Sequence, residues 1–209
     1  MNIKQEIENS KVYAVKVENT LNVIDEYIDL YNKFNEKYKS IINELKEDYK
    51  EFFSSHGFEV KKQYNGYATS MYESEEIIIA KYKYLEFELG VRDDGRIDIT
   101  FWKRKPENED IYIRVKMNVE QYRASMDIED ITQISCVKDI NRMREEIKNA
   151  KFSLDEIDKI NGSIVKLKEN LLIELSKLKN VFFIGTQLNK GKEENKFKFT
   201  KIEELIKEI

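Results

Sequence analysis

The sequence predicts an α+β fold, and three observations carry that prediction. Apolar residues recur at a 3-4 spacing through the first quarter of the chain, the period switches to two after Phe58, and helical spacing returns after about Asp130. The expected order is a long N-terminal coiled-coil-like helix over 1–56 and a central antiparallel β-sheet over 57–130. A helical return packing on the first helix follows over 131–180, then a small C-terminal ββα element over 181–209.

The first helix follows from Ile3, Ile7, Ala14, Val17, Leu21, Ile24, Ile28, Tyr31, Tyr38, Ile42, Leu45, Tyr49 and Phe52, a seam interrupted by polar groups only at Ser10 and Asn35. No Gly or Pro occurs before Gly57, which is placed to end the helix in the left-handed conformation. A heptad seam is buried along a partner helix, so a homodimer is expected. Leu21, Ile24, Ile28, Tyr31, Tyr38, Ile42 and Leu45 form its oligomerisation seam, and Asn35 is the polar position that sets register and oligomer state. Val23, Tyr27, Leu30, Phe34 and Ile41 make a second row, so the middle of the helix is expected to touch a third element.

From Phe58 onward the pattern is that of strands. The stretch 81–91 places Leu85, Phe87, Leu89 and Val91 on one face and Tyr82, Tyr84, Glu86 and Glu88 on the other. Arg92-Asp93-Asp94-Gly95 is a hairpin signal. The next strand puts Ile97, Ile99 and Phe101 inward and Trp102 outward. After Pro106, Ile111, Ile113, Val115 and Met117 alternate with Tyr112, Arg114 and Lys116. Earlier strands near 58–64 and 76–80 and a last one around 122–128 complete a sheet with one buried and one polar face.

Helix returns with a capping box at Ser153 and Glu156, stapled by Phe152 and Ile157. Ile157, Ile160, Ile164, Leu167, Leu171, Leu175 and Leu178 then follow on a 3-4 spacing, and an antiparallel return along the first helix is expected. Two strands around a lysine-rich loop and a capping box at Thr200 and Glu203 make the tail.

The net charge of −4 divides into −3 over 1–57, −4 over 58–135 and +3 over 136–209, so broad nucleic-acid binding is not the default. The single cysteine, Cys136, excludes an internal disulfide and reads as a buried, inert thiol. No apolar run approaches the ~20 residues that span a bilayer, so no membrane association and a reducing cytoplasm are expected. The Lys-, Ile-, Glu- and Asn-rich usage fits an AT-rich bacterial or phage genome.

Chemistry is sparse. His56 is the only histidine, beside Ser54 and Ser55, and its place in a last helical turn suits a dipole interaction better than catalysis. Glu59-Val60-Lys61 lacks the strand-borne aspartate that a two-metal nuclease needs. Neither G-x-x-x-x-G-K-[ST] nor G-x-G-x-x-G occurs, and no catalytic residue, metal or cofactor is expected.

The leading expectation is a non-enzymatic protein-binding or assembly module. Its contact surface is the outward sheet face, with Tyr82, Tyr84, Trp102, Lys103, Tyr112, Arg114 and Lys116. The alternative is a nucleic-acid-binding regulator or segregation factor touching phosphate through Lys190, Lys192, Lys196 and Lys198. An unrecognised metal-dependent enzyme is the third reading.

Overall fold

The computed structural model describes residues 3–65, 75–92, 97–103, 109–119, 122, 125–128, 131–189 and 192–208. Among the described residues the fold is α+β: one long helix, a seven-stranded antiparallel sheet, a two-stranded sheet and three further helices. The chain forms two compact units, 1–36 with 122–177 and 37–121 with 178–209. Helix α1, Ile3–Ser55, contributes its first part to the former unit and its last part to the latter.

α1 ends as its glycine predicts. Gly57 has φ 82, the Phe58 N–H reaches the Phe53 carbonyl (3.0 Å) and the Gly57 N–H reaches that of Ser54 (3.0 Å). These are the two bonds of a Schellman cap.

The first unit is helical. Besides α1 it holds a two-stranded hairpin, β6 (Met126–Ile128) with β7 (Thr132–Ile134), then α2 (Val137–Lys148) and α3 (Leu154–Lys177). The strand expected around 122–128 is thus short and pairs outside the main sheet. The Ser153–Glu156 box forms as expected: Glu156 accepts the Ser153 N–H (2.7 Å) and Ser153 Oγ accepts the Glu156 N–H (3.4 Å). Ile140, Met143 and Ile147 of α2 and Ile157, Ile160, Ile164, Leu167 and Leu171 of α3 are buried with Ile24, Tyr27 and Phe34 of α1.

Long-range polar contacts set the helix directions. Arg144 clamps Asp25 through two N–H groups, at 2.6 and 3.0 Å, and Tyr13 donates to the Phe152 carbonyl (3.0 Å), so α2 runs antiparallel to α1. Lys16 binds Asp158 and Lys168 binds Glu26, so α3 runs parallel to it. The expected antiparallel return therefore holds for α2 alone. The chain reverses between α2 and α3, so only one of them can oppose α1.

The second unit is built on the sheet β1-β2-β3-β4-β5-β8-β9: Glu59–Asn65, Glu75–Tyr82, Leu85–Arg92, Ile97–Lys103, Glu109–Met117, Phe183–Asn189 and Lys192–Phe199. Every pairing is antiparallel. The tail has the expected ββα order, β8, β9 and then a helix, and β8 pairs with β5, so its strands extend the main sheet. Helix α4, Ile202–Ile206, packs on the inner face with the last part of α1.

Register makes the inner face continuous: Ile78, Leu89, Ile99 and Ile113 lie in one row, and Ala80, Phe87, Phe101 and Ile111 in the next. Phe53 of α1 lies against Phe87, with ring centroids 4.6 Å apart. Gly185 faces α4, where a Cβ would stand 3.2 Å from both Ile113 Cγ2 and Leu205 Cδ1.

One expected strand is divided. Residues Lys83 and Tyr84 form a tight turn, Lys83 at φ 52, so β2 ends at Tyr82 and β3 begins at Leu85. The sequence shows no Gly or Asn there to announce it. The hairpin signal at Arg92–Gly95 is matched by the Val91–Ile97 pairing, while residues 93–96 lie outside the described residues.

Candidate functional site

The face of the sheet opposite α1 and α4 is the candidate site. Its composition follows from strand alternation: the residues between the inward positions of β3, β4, β5, β8 and β9 must point the other way. One cross-strand row runs Gly90, Asp98, Arg114, Thr186, Lys196, the next Glu88, Thr100, Tyr112, Leu188, and a third Lys116, Ile184, Lys198. Carboxylates stand on β3 and β4 (Glu86, Glu88, Asp98) and cations on β5 and β9 (Arg114, Lys116, Lys196, Lys198), with Glu193 of β9 opposite Leu188 among the cations. Tyr112, Thr186, Ile184 and Leu188 lie among the cations.

Arg114, Lys116, Lys196 and Lys198 are exposed, whereas Asp98, Tyr112, Ile184, Thr186 and Leu188 are half-buried. The Tyr112 hydroxyl donates to Asp98 Oδ1. Desolvation by burial, reinforced by that bond, pushes the phenol up to about 12, so it stays a neutral donor near pH 7. Lys81 pairs with Glu86 at 2.8 Å, Lys196 with Glu193 at 3.0 Å, and the Lys198 ammonium sits 3.9 Å from the Phe182 ring centroid. β4 separates β3 from β5, so Glu86 and Glu88 are not the cross-strand partners of Arg114 and Lys116. Asp98 and Thr186 flank Arg114 instead.

The sequence-predicted residues distribute unevenly. Tyr112, Arg114 and Lys116 share the outer face as expected. Tyr82 and Tyr84 do not: the turn at 83–84 resets the alternation, Tyr82 lies against Phe58 (5.4 Å between ring centroids), and Tyr84 is in the turn itself. Trp102 and Lys103 contribute backbone to β4, Lys192 to β9; their side chains, and all of Lys190, lie outside the described residues. Lys196 and Lys198 stand on the same face as Arg114 and Lys116, so two patches that were separate in the sequence are one surface. Sequence reasoning missed this because alternation identifies a strand but not its neighbour.

Of the expected oligomerisation seam, Ile24, Tyr38, Ile42 and Leu45 are at most 7% exposed within the single chain and are consumed by its own cores. Leu21, Ile28, Tyr31 and Asn35 are half-buried, and Phe34 rather than Asn35 takes the inward position. Ile3 and Ile7 are 66% and 52% exposed.

Cys136 is exposed rather than buried, because it caps α2: its N–H (3.1 Å) and thiol (3.6 Å) point to Asp139 Oδ2. His56 Nδ1 lies 2.7 Å from the Phe52 carbonyl at the end of α1, in keeping with a structural role. Among the described residues no three His, Cys, Asp or Glu side chains gather as a metal-binding group, and no helix is long and apolar enough to cross a membrane. No family model matches the chain, and neither a curated protein nor a solved structure is significantly similar to it.

Proposed function

We propose that the protein is a non-enzymatic binding module whose outer sheet face engages a protein partner. The observation that carries the reading is the mixed charge of that face: carboxylates on β3 and β4, and on β5 and β9 four cations with Glu193 among them, beside Tyr112, Ile184 and Leu188. A polyanion would be drawn to one half and repelled by the other. A folded protein can present both signs in complementary places, which favours specificity and orientation. The exposed Ile3 and Ile7 at the start of α1 supply a second contact, with another copy of the chain, and a reducing cytoplasm suits the exposed Cys136.

Nucleic-acid binding is the second reading. Lys116 and Lys198 flank Ile184 in one row, and Arg114 and Lys196 flank Thr186 in the next, a four-cornered cationic patch beside Tyr112. Two charge reversals separate the readings: Lys116→Glu with Lys198→Glu, and Glu86→Lys with Glu88→Lys. In affinity capture from the source cells, a protein ligand is expected to be lost with either pair. Nucleic acid would be lost with the first pair, gained with the second and released steeply by moderate salt. Retention of the protein ligand by both variants would remove the outer face as the contact surface.

A further inference from the structure

Within the first unit α3 lies along α1 in a defined register. Lys16 binds Asp158 and Lys168 binds Glu26, and in both pairs the partners stand 142 positions apart. The same offset sets Val23 level with Val165 and brings Asn161 within one residue of Thr20, about 1.5 Å of helix rise. Asp158, Asn161, Val165 and Lys168 are spaced 3-4-3, so Asn161 shares the side of α3 that reaches α1.

Thr20 is 1% exposed, and its Oγ1 and the Asn161 Oδ1 are both buried with no hydrogen-bond partner among the described residues. Ile24, one turn along α1, and Ile160 and Ile164, on either side of Asn161 in sequence, are fully buried. Polar groups held in such apolar surroundings pair or hold a water, because leaving them dry forfeits their hydration. A hydroxyl and an amide oxygen at one level of an interface, not bonded to each other, supply the two partners that a bridging water needs.

The neighbouring layers do not set the register. Both ion pairs are solvent-exposed, and such pairs contribute little. Val23 and Val165 are only partly covered, and an apolar layer accepts another apolar neighbour after a slip of one turn. A polar layer does not, since a slip strands both of its groups.

We propose that Thr20 and Asn161 share one buried water, and that this polar layer fixes α3 in its parallel register on α1. The layer lies inside the first unit and is independent of the outer sheet face.

The test is a double-mutant cycle of Thr20→Val and Asn161→Leu in the intact chain, with water–protein NOE measurements on the parent. Each single change strands the remaining polar group and is expected to lower Tm by about 2–4 °C. The double variant removes both groups and is expected to regain at least the parent's Tm. Its Ile160, Ile164 and Leu167 methyl signals are expected to split or broaden as α3 loses its single register. In the parent, the Asn161 side-chain amide and the Thr20 methyl are expected to show NOEs to a long-lived water. Tm losses that add in the double variant, one sharp set of methyl signals there, or no water contact at either group would overturn the proposal.

Discussion

Ala150 has φ 52, a left-handed backbone that costs an L side chain about 1–2 kcal/mol. The position is forced by the cap of α2: the Lys151 N–H bonds to the Glu146 carbonyl (3.2 Å) and the Ala150 N–H to that of Ile147 (3.0 Å). Ala150→Gly is therefore expected to raise stability by about 1 kcal/mol, read as a higher urea midpoint with unchanged slope. A midpoint that stays or falls would mean that the left-handed cap is not strained. Gly57 does the same work at the end of α1 and was legible in the sequence. Ala150 and Lys83 were not, because a residue with a Cβ adopts positive φ only when the surrounding structure imposes it.

Among elements, α1 is the most informative. Its buried residues, Thr20, Ile24, Tyr27, Phe34, Tyr38, Ile42, Leu45, Tyr49 and Phe53, follow 4-3-7-4-4-3-4-4, or 33 positions over nine helical repeats. That mean, near 3.7, is the period of a straight helix rather than the 3.5 of a left-handed coiled coil. The two stripes coincide at Ile24 and from Tyr38 to Tyr49 and separate elsewhere, which is why Phe34 and Phe53 replace Asn35 and Phe52 inside. At the other end of the second unit, α4 depends on a missing side chain. Gly185→Val would push Leu205 and Ile113 apart, and its expected cost is about 1–3 kcal/mol with loss of amide protection in α4. Protection equal to the parent's would show that α4 docks independently of that approach. α4 begins with its carboxylate one residue later than the sequence suggested: Glu204, not Glu203, accepts the Thr200 N–H (2.6 Å).

For the molecule as a whole, carboxylates in both units are held below their ordinary range. Arg144 does this for Asp25, backbone and hydroxyl donors of Ser135 hold Asp139 at about 2, and Ser153 and Thr200 serve Glu156 and Glu204. Burial raises Glu76, but Lys62 (2.8 Å) and Lys46 (2.9 Å) outweigh it and leave it lowered from 4.5. A carboxylate with a depressed folded pKa binds fewer protons folded than unfolded. Its contribution is thus complete above the unfolded value and is lost as pH falls through the folded one. Stability is expected to drop below about pH 4.5. Glu76→Gln should cost about 1–2 kcal/mol at pH 7 in urea denaturation and much less at pH 3. An equal loss at both pH values would assign the effect to packing.

The sequence alone determined the class of each stretch. Periods of 3.6 and 2 are local properties of side-chain spacing, and caps such as Ser153 with Glu156 are read within four residues. The tertiary structure decided which faces meet. That β8 lies beside β5, that α3 runs parallel to α1, and that Lys196 and Lys198 join Arg114 and Lys116 all follow from pairings between distant residues. Local periodicity carries no information about those pairings, because an apolar stripe is satisfied equally well by any partner of matching length.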